Sequence, residues 1–286
     1  MTVEAILLGN AQDGGLPQAG CTCANCRRAW ADPAERRGPA CLGLVDHVAG
    51  QSWLIDATPD LPAQLHMLRQ AAPSVALAGI LLTHAHVGHY AGLIHLGREA
   101  WGTDRMPIYA SARMATFLRA NDPWSQLVEW GHVDLRPLVP GREVALSPRL
   151  EVTPLAVPHR DELSDTLAFL IRGPARRLFY CPDIDAWGRW DVDVRDLVAG
   201  VDVALLDGTF YQASDLAAGE LPGRDLAEIP HPLAVDTAWR LAGVAADVRL
   251  VHLNHSNPLH HPGPEREWLA ARGLGVGQPG ERWGLD

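Results

Sequence analysis

The sequence predicts a mixed fold of the α/β or α+β class, and three observations carry that expectation. Short apolar runs recur along the chain, divided by Gly, Pro and Asp as strands are. Segments with apolar residues at helical spacing fall between these runs at intervals. A length of 286 residues with 47% hydrophobic content is enough to build a large core. No internal repeat, low-complexity tract or dividing linker is visible, so a single domain over residues 1–286 is expected.

Val3 to Leu8 reads as an opening strand. Gly9 to Pro39 then carries Gly14, Gly15, Pro17, Gly20 and three cysteines with little periodicity, so a loop over about 9–40 that something must staple is expected. Leu42 to Val48 and Ser52 to Asp56 form a predicted hairpin around Ala49-Gly50, and Leu61 to Ala71 a helix opening after Pro59-Asp60. The apolar segment Leu77-Ala-Gly-Ile-Leu-Leu82 is the next strand, followed by helical spacing over Tyr90 to Ala100. Pro107 to Ser111 predicts a short strand, Arg113 to Ala120 a helix, and 120–132 a loop lining the crevice together with 210–232. Strands are then predicted at Val133 to Leu138, Glu143 to Leu146, Leu150 to Pro158, Thr166 to Ile171, Arg177 to Cys181 and Val203 to Asp207. Helices near Ala234 to Ala242 and Pro264 to Ala271 flank a last apolar run at Val248 to Leu253.

Composition narrows the function classes. A formal net charge of −10 with only 24 Lys and Arg argues against a nucleic-acid partner, whose phosphates need clustered cations. The chain lacks an apolar stretch of about 18 residues and a basic-then-apolar N-terminal leader, so no membrane partner and a cytoplasmic location are expected. The expected partner is a small-molecule substrate, with a homodimer left open. Five cysteines in a chain of this length do not make a disulfide framework.

Thr83-His-Ala-His-Val-Gly-His89 places three imidazoles directly after a buried strand, and imidazole nitrogen suits zinc, iron and manganese. Downstream, His159, Asp183 and His252 each end an apolar strand-like run, where a side chain is released into a shared crevice. Cys21-Thr-Cys23-Ala-Asn-Cys26 provides three soft ligands, and a tetrahedral zinc wants a fourth. His255, three residues after His252, is the candidate. Cys41 and Cys181 lie in apolar strands and read as core; His47, His66, His95, His132, His260 and His261 read as surface or structural.

The histidine run and the later His159, Asp183 and His252 resemble the metallo-β-lactamase superfamily, whose ligand motif is His-x-His-x-Asp-His after a strand. The resemblance covers essentially the whole chain and implies the αββα four-layer sandwich. It also implies a first site at His84, His86 and His159, a second at His89 and His252, and Asp183 bridging the two. Asp56 and Asp207 would then support the ligands by hydrogen bonds rather than touch the ions. Zn, Mn or Fe, as one or two ions, is the implied active-site cofactor, beside a structural Zn at Cys21, Cys23, Cys26 and His255.

Gly88 stands where the superfamily has aspartate. The second group is therefore expected to bind its ion more weakly, and aspartate restored at 88 to strengthen it, unless glycine is needed there for a positive φ or because the substrate approaches the backbone at that point. The cysteine loop with a late His-x2-His resembles the phosphonate-pathway cyclic phosphodiesterase of the superfamily, in which His231 would be the general acid that protonates the leaving group. Gly15-Leu-Pro-Gln18, Cys23-Ala-Asn-Cys26, Pro59-Asp-Leu-Pro-Ala-Gln64, Leu206-Asp-Gly-Thr209, Gly223-Arg-Asp225 and Asn257-Pro258 look still more like the pyrroloquinoline quinone biosynthesis protein B family. Members of that family usually lack the histidines at the 84 and 86 positions, which this chain keeps.

Three functions follow as expectations. The first is an enzyme, a metal-dependent hydrolase of a small ester, lactone or phosphodiester, using metal-bound hydroxide, with His231 and Asp183 as its catalytic side chains. The second is an iron-dependent oxidase or oxygenase in redox-cofactor biosynthesis, since two histidines and a carboxylate at His89, His252 and Asp183 make the ligand set of non-heme iron oxygenases. The third is a non-catalytic, metal-stabilised binding protein.

Overall fold

The computed structural model describes residues 2–216 and 230–286. Strand β1 (Val3–Gly9) is buried along its whole length, as a strand covered on both faces must be. Val3, Ala5 and Leu7 face the other sheet, while Ile6 and Leu8 face a helix layer, the two-residue alternation of a pleated strand. The loop that follows contains an unexpected helix, α1 (Ala24–Ala31). Only Cys26 and Ala29 of it are buried, too little to produce an apolar stripe in the sequence.

β2 (Cys41–Asp46) and β3 (Gln51–Ile55) form the predicted antiparallel hairpin. Asp46 Oδ1 accepts the backbone N–H groups of Val48 and Ala49 at 3.0 and 2.9 Å, and Gly50 takes a φ of 67° in the turn. Helix α2 (Leu61–Ala71) lies where it is predicted and buries Leu61, Gln64 and Leu68. β4 (Ala76–Leu81) runs parallel to β3 and leads into the histidine turn.

The helix expected over 90–100 is instead a four-residue α3 (Val87–Tyr90) and a 3₁₀ segment over Ala91–Leu96. The backbone is drawn in at Gly92, where a Cβ would stand 1.9 Å from the carbonyl oxygen of Thr58. β5 (Met106–Ala110) follows, then α4 (Ala112–Ala120), capped by Ser111 Oγ accepting the Met114 N–H at 3.1 Å. The supposed loop at 120–132 holds α5 (Trp124–Glu129), whose Trp124 packs 4.8 Å from Tyr90. β6 (Val133–Pro137) completes this half.

The second half runs β7 (Val144–Ser147), β8 (Leu150–Val157), β9 (Thr166–Arg172), β10 (Arg177–Cys181), α6 (Val194–Ala199), β11 (Val203–Asp207), α7 (Ala234–Leu241), β12 (Asp247–Val251), α8 (Pro264–Ala270), β13 (Leu274–Val276) and β14 (Arg282–Gly284). The sheets have the orders β14-β1-β2-β3-β4-β5-β6 and β13-β12-β11-β10-β9-β8-β7. In each, one half is antiparallel and the other parallel, β3 to β6 and β10 to β13.

Leu7, Leu44, Trp53, Phe169, Tyr180 and Leu205 belong to the core between the sheets. Leu61, Leu68, Met114, Leu118 and Leu127 cover the outer face of the first sheet, and Val194, Val198, Ala238, Leu241 and Leu269 that of the second. The result is the four-layer αββα sandwich. Cys41 and Cys181 are fully buried in it. Among the described residues no helix is long and apolar enough to cross a membrane.

Candidate metal centre

The parallel halves bring the C-terminal ends of their strands to one crevice, the place where open α/β sheets expose functional side chains. Asp56 follows β3, His84, His86 and His89 follow β4, Asp183 follows β10, Asp207 ends β11 and His252 follows β12; antiparallel β8 adds His159. Asp56 and His252 adopt left-handed φ values of 74° and 62°, a conformation that costs a non-glycine residue energy and here aims two side chains.

The side chains converge closely. Asp183 Oδ1 lies 3.1 Å from His159 Nε2, and Asp183 Oδ2 lies 3.4, 3.7 and 3.6 Å from the Nε2 atoms of His84, His89 and His252. His159 Nε2 is 3.2 Å from His86 Nδ1. Two nitrogens on one tetrahedral ion at about 2.1 Å stand about 3.4 Å apart, the spacing found here. The Nε2 atoms of His84, His86, His89 and His252 and Asp183 Oδ1 are buried without a hydrogen-bond partner, a costly arrangement unless a cation serves them all. The groups that could hold an ion include His84, His86, His159 and Asp183 on one side, and His89 and His252 on the other.

Four of the imidazoles are turned by a partner on the far nitrogen, as metal-binding histidines are, whereas His86 Nδ1 lies against His159 Nε2. His89 Nδ1 is 2.7 Å from Asp56 Oδ2, His159 Nδ1 is 3.1 Å from Asp185 Oδ1, His252 Nδ1 is 2.9 Å from Thr209 Oγ1, and His84 Nδ1 is 3.0 Å from Thr83 Oγ1. Asp56 also accepts the Thr83 N–H at 2.8 Å, tying the histidine turn to β3. Burial pushes His84 and His252 down and His86 to about 4, which keeps them neutral as ligation requires. Against its own burial, Asp183 is held well below the usual carboxylate range by His159, His252 and His231. Burial also opposes charge on His159, yet Asp183 and Asp185 push it up to about 10.

His231 reaches the same cluster from the crevice wall, and with Asp183, Asp207 and His252 it makes a further group whose ligand atoms could hold an ion. Its Nδ1 is 2.8 Å from Asp207 Oδ2 and 3.3 Å from Asp183 Oδ1. Asp207 also accepts the N–H groups of Ile184 and Thr209 at 3.1 and 2.9 Å, so it is a fixed anchor rather than a lone turn residue.

The expectation drawn from Gly88 needs correction. Gly88 does not take a positive φ; a Cβ there would stand 2.2 Å from Asp13 Oδ1 and 2.4 Å from Asp13 Cα. The space of the expected aspartate is filled by another one, carried in by the loop between β1 and β2. Asp13 Oδ1 is 3.2 Å from His89 Nε2, so the second group does not lack a second carboxylate.

Cys21, Cys23, Cys26 and His255 also come together. His255 Nδ1 is 3.3, 3.5 and 3.7 Å from the three Sγ atoms, against about 3.6 Å between nitrogen and sulfur on one zinc. Burial, with the neighbouring Cys23 and Cys21 adding to it, pushes the Cys26 thiol up to about 12, a penalty that a bound cation reverses.

Asp13, Thr83, Asp185 and Thr209 were not singled out by sequence. For Asp185 a signal existed, since Asp183-Ile-Asp185 alternates as an extended chain does; Asp13 in Gln12-Asp13-Gly14-Gly15 reads only as a turn. Gly223, Asp225 and most of the 210–232 loop lie outside the described residues.

A family profile described as a beta-lactamase superfamily domain matches residues 52–229. The chain is 31% identical to coenzyme PQQ synthesis protein B of Methylobacterium sp. (strain 4-46), over 90% of this chain and 91% of that one. It is 28% identical to the protein of the same name from Azotobacter vinelandii, over 96% and 97%. Zinc-bound PqqB of Methylobacterium extorquens superposes with a TM-score of 0.81 at 24% identity, covering 99% of this chain and 100% of that one. A diphosphatase of the PhnP family superposes with a TM-score of 0.69 at 20% identity, covering 99% and 97%. At these identities the two structures show likeness of fold.

Proposed function

The chain belongs to the metallo-β-lactamase superfamily and, within it, to the family of coenzyme PQQ synthesis protein B, and on that premise we propose that it is a metal-dependent enzyme acting on a small molecule in the synthesis of a PQQ-like cofactor. The observation that carries the reading is the ring of buried, unpartnered imidazole nitrogens around Asp183. We take the chemistry to be hydrolysis of an ester, lactone or phosphodiester. The complete trio His84, His86 and His159, with both oxygens of Asp183 reaching toward neighbouring groups, supports this choice.

An ion held there supplies Lewis acidity and a water acidic enough to act as nucleophile near neutral pH. The chain's own residues do the rest. Asp56, Asp185, Thr83 and Thr209 keep the imidazoles aimed at the crevice. Asp207 occupies Nδ1 of His231, which leaves Nε2 as the nitrogen that hands a proton to a leaving group. Burial disfavours the charged imidazole, but Asp207 and Asp183 raise its pKa above the ordinary value, so it is held in the donating form.

A second reading, oxygenation by iron, is favoured by the group containing His89 and His252, which with a carboxylate would supply the two histidines and one acid that hold non-heme iron. Protein purified anaerobically without added metal, then assayed with zinc, manganese or iron(II), separates the two. Turnover of a phosphodiester or lactone panel without oxygen supports hydrolysis. Oxygen uptake that requires iron, with no turnover of the panel, would replace it by oxygenation.

A further inference from the structure

The unpartnered acceptors of the crevice include one from outside the strand ends. Asp13 Oδ1 is buried, makes no hydrogen bond, and lies 3.2 Å from His89 Nε2 and 4.0 Å from His252 Nε2, both likewise without partners. Together these three side chains form a candidate ion-holding group of their own. We propose that Asp13 is the carboxylate ligand of the second ion, taking over from the loop between β1 and β2 the place that residue 88 leaves vacant. This rests on the reading above that the crevice holds ions.

Two further observations fix the assignment. The first is steric: Gly88 and Asp13 share one volume, since a Cβ at 88 would overlap both Asp13 Oδ1 and Asp13 Cα, so a side chain at one position excludes this placement of the other. The second is how the loop is held. Gln12 N–H donates to the Leu253 carbonyl at 2.8 Å and Leu253 N–H to the Asn10 carbonyl at 2.7 Å, so Asp13 is registered against the residue next to His252. Beyond it, the three cysteines gather around His255, three residues past His252. Asp13 and His252 are therefore positioned by the same pair of segments, and Asp13 is delivered by the built part of the loop.

The test reads metal rather than turnover. Manganese(II), which avoids thiolate sites, is titrated into protein carrying one zinc equivalent. We expect the parent to take up two manganese ions, and Asp13→Asn to lose one or bind it roughly tenfold or more weakly. Gly88→Asp alone should also weaken the second ion and lower the melting temperature, because the two carboxylates collide. Asp13→Gly combined with Gly88→Asp should bring the second affinity back to within about threefold of the parent, the carboxylate having been moved rather than removed. Parental binding of both ions by Asp13→Asn would overturn the assignment. A parent that takes no manganese at all would defeat the ion-holding reading itself, and the assignment with it, and that outcome is visible before any variant is made. Should the double variant fail to fold, the isosteric Asp13→Asn decides alone.

Discussion

At the scale of single residues, the crevice is organised by what lies behind the imidazoles. Asp56 touches His89 Nδ1, Thr83 Oγ1 and the Thr83 N–H at once, while holding a φ of 74° itself. Its charge orients His89 and raises its basicity, so Asp56→Asn should weaken manganese binding about 10–100-fold without touching the ion's direct ligands. The same titration checks it, and an unchanged affinity would remove Asp56 from the site. His231 calls for the opposite separation. Its Nδ1 is taken by Asp207 Oδ2 at 2.8 Å and lies 3.3 Å from Asp183 Oδ1, while the other imidazoles around Asp183 turn unpartnered Nε2 atoms inward. His231→Gln should keep the parental metal content and lower kcat on whichever panel substrate is turned over by about 10²–10⁴. Loss of an ion in that variant would make His231 a ligand instead.

At the scale of elements, the loop between β1 and β2 and the edge strand β14 each add a side-chain cluster to the backbone pairing that holds them. The loop's small apolar cluster is Leu16, Cys21, Cys23, Cys26 and Ala29, too little to order the segment without the cysteine site. Cys23→Ser should lose the zinc equivalent expected at the cysteine cluster and lower the melting temperature by about 2–4 °C for each kcal/mol of stability lost. It should also loosen the second manganese, because Asp13 rides on the same loop. Elemental analysis with a thermal melt reads both, and a full zinc equivalent with an unchanged melt would remove the staple. On β14, Arg282 Nε donates to the buried Glu4 Oε2 of β1 at 2.7 Å, and His47 Nε2 lies 2.6 Å from Glu4 Oε1. Burial raises the Glu4 pKa, but Arg282 and His47 outweigh it and hold the group below its ordinary 4.5. A depressed carboxylate contributes stability that is full above its unfolded pKa and is lost as pH falls through the folded one. Glu4→Gln should thus cost about 1–3 kcal/mol at pH 7, with the gap to the parent closing below about pH 4.5 in denaturant melts.

At the scale of the whole molecule, two sheets meet so that their parallel halves open on one crevice, and most of what enters it was legible from strand ends. His84, His86, His89, His159, Asp183 and His252 each follow an apolar run whose end is marked in the sequence, and the structure brings all six together. The strands at Arg177–Cys181 and Val203–Asp207 and the helix at Leu61–Ala71 were likewise predictable to the residue, because buried parallel strands are continuous apolar runs and a proline opens the helix. Helices α1 and α5 were not, since each buries too few side chains to leave a periodic trace. The short closing strands β13 and β14 were missed for a related reason: three residues carry no period. The sequence by itself determined the mixed α/β class, the histidine turn and the thiol cluster, all of them patterns between near neighbours in the chain, while the four-layer arrangement and the loss of an acid at 88 were legible only through the resemblance to the superfamily. Only the tertiary structure decided where the replacing acid comes from. Asp13 and Gly88 are far apart along the chain, and their shared volume exists only after β1 pairs with β2, the loop pairs with Leu253, and the cysteines close on His255.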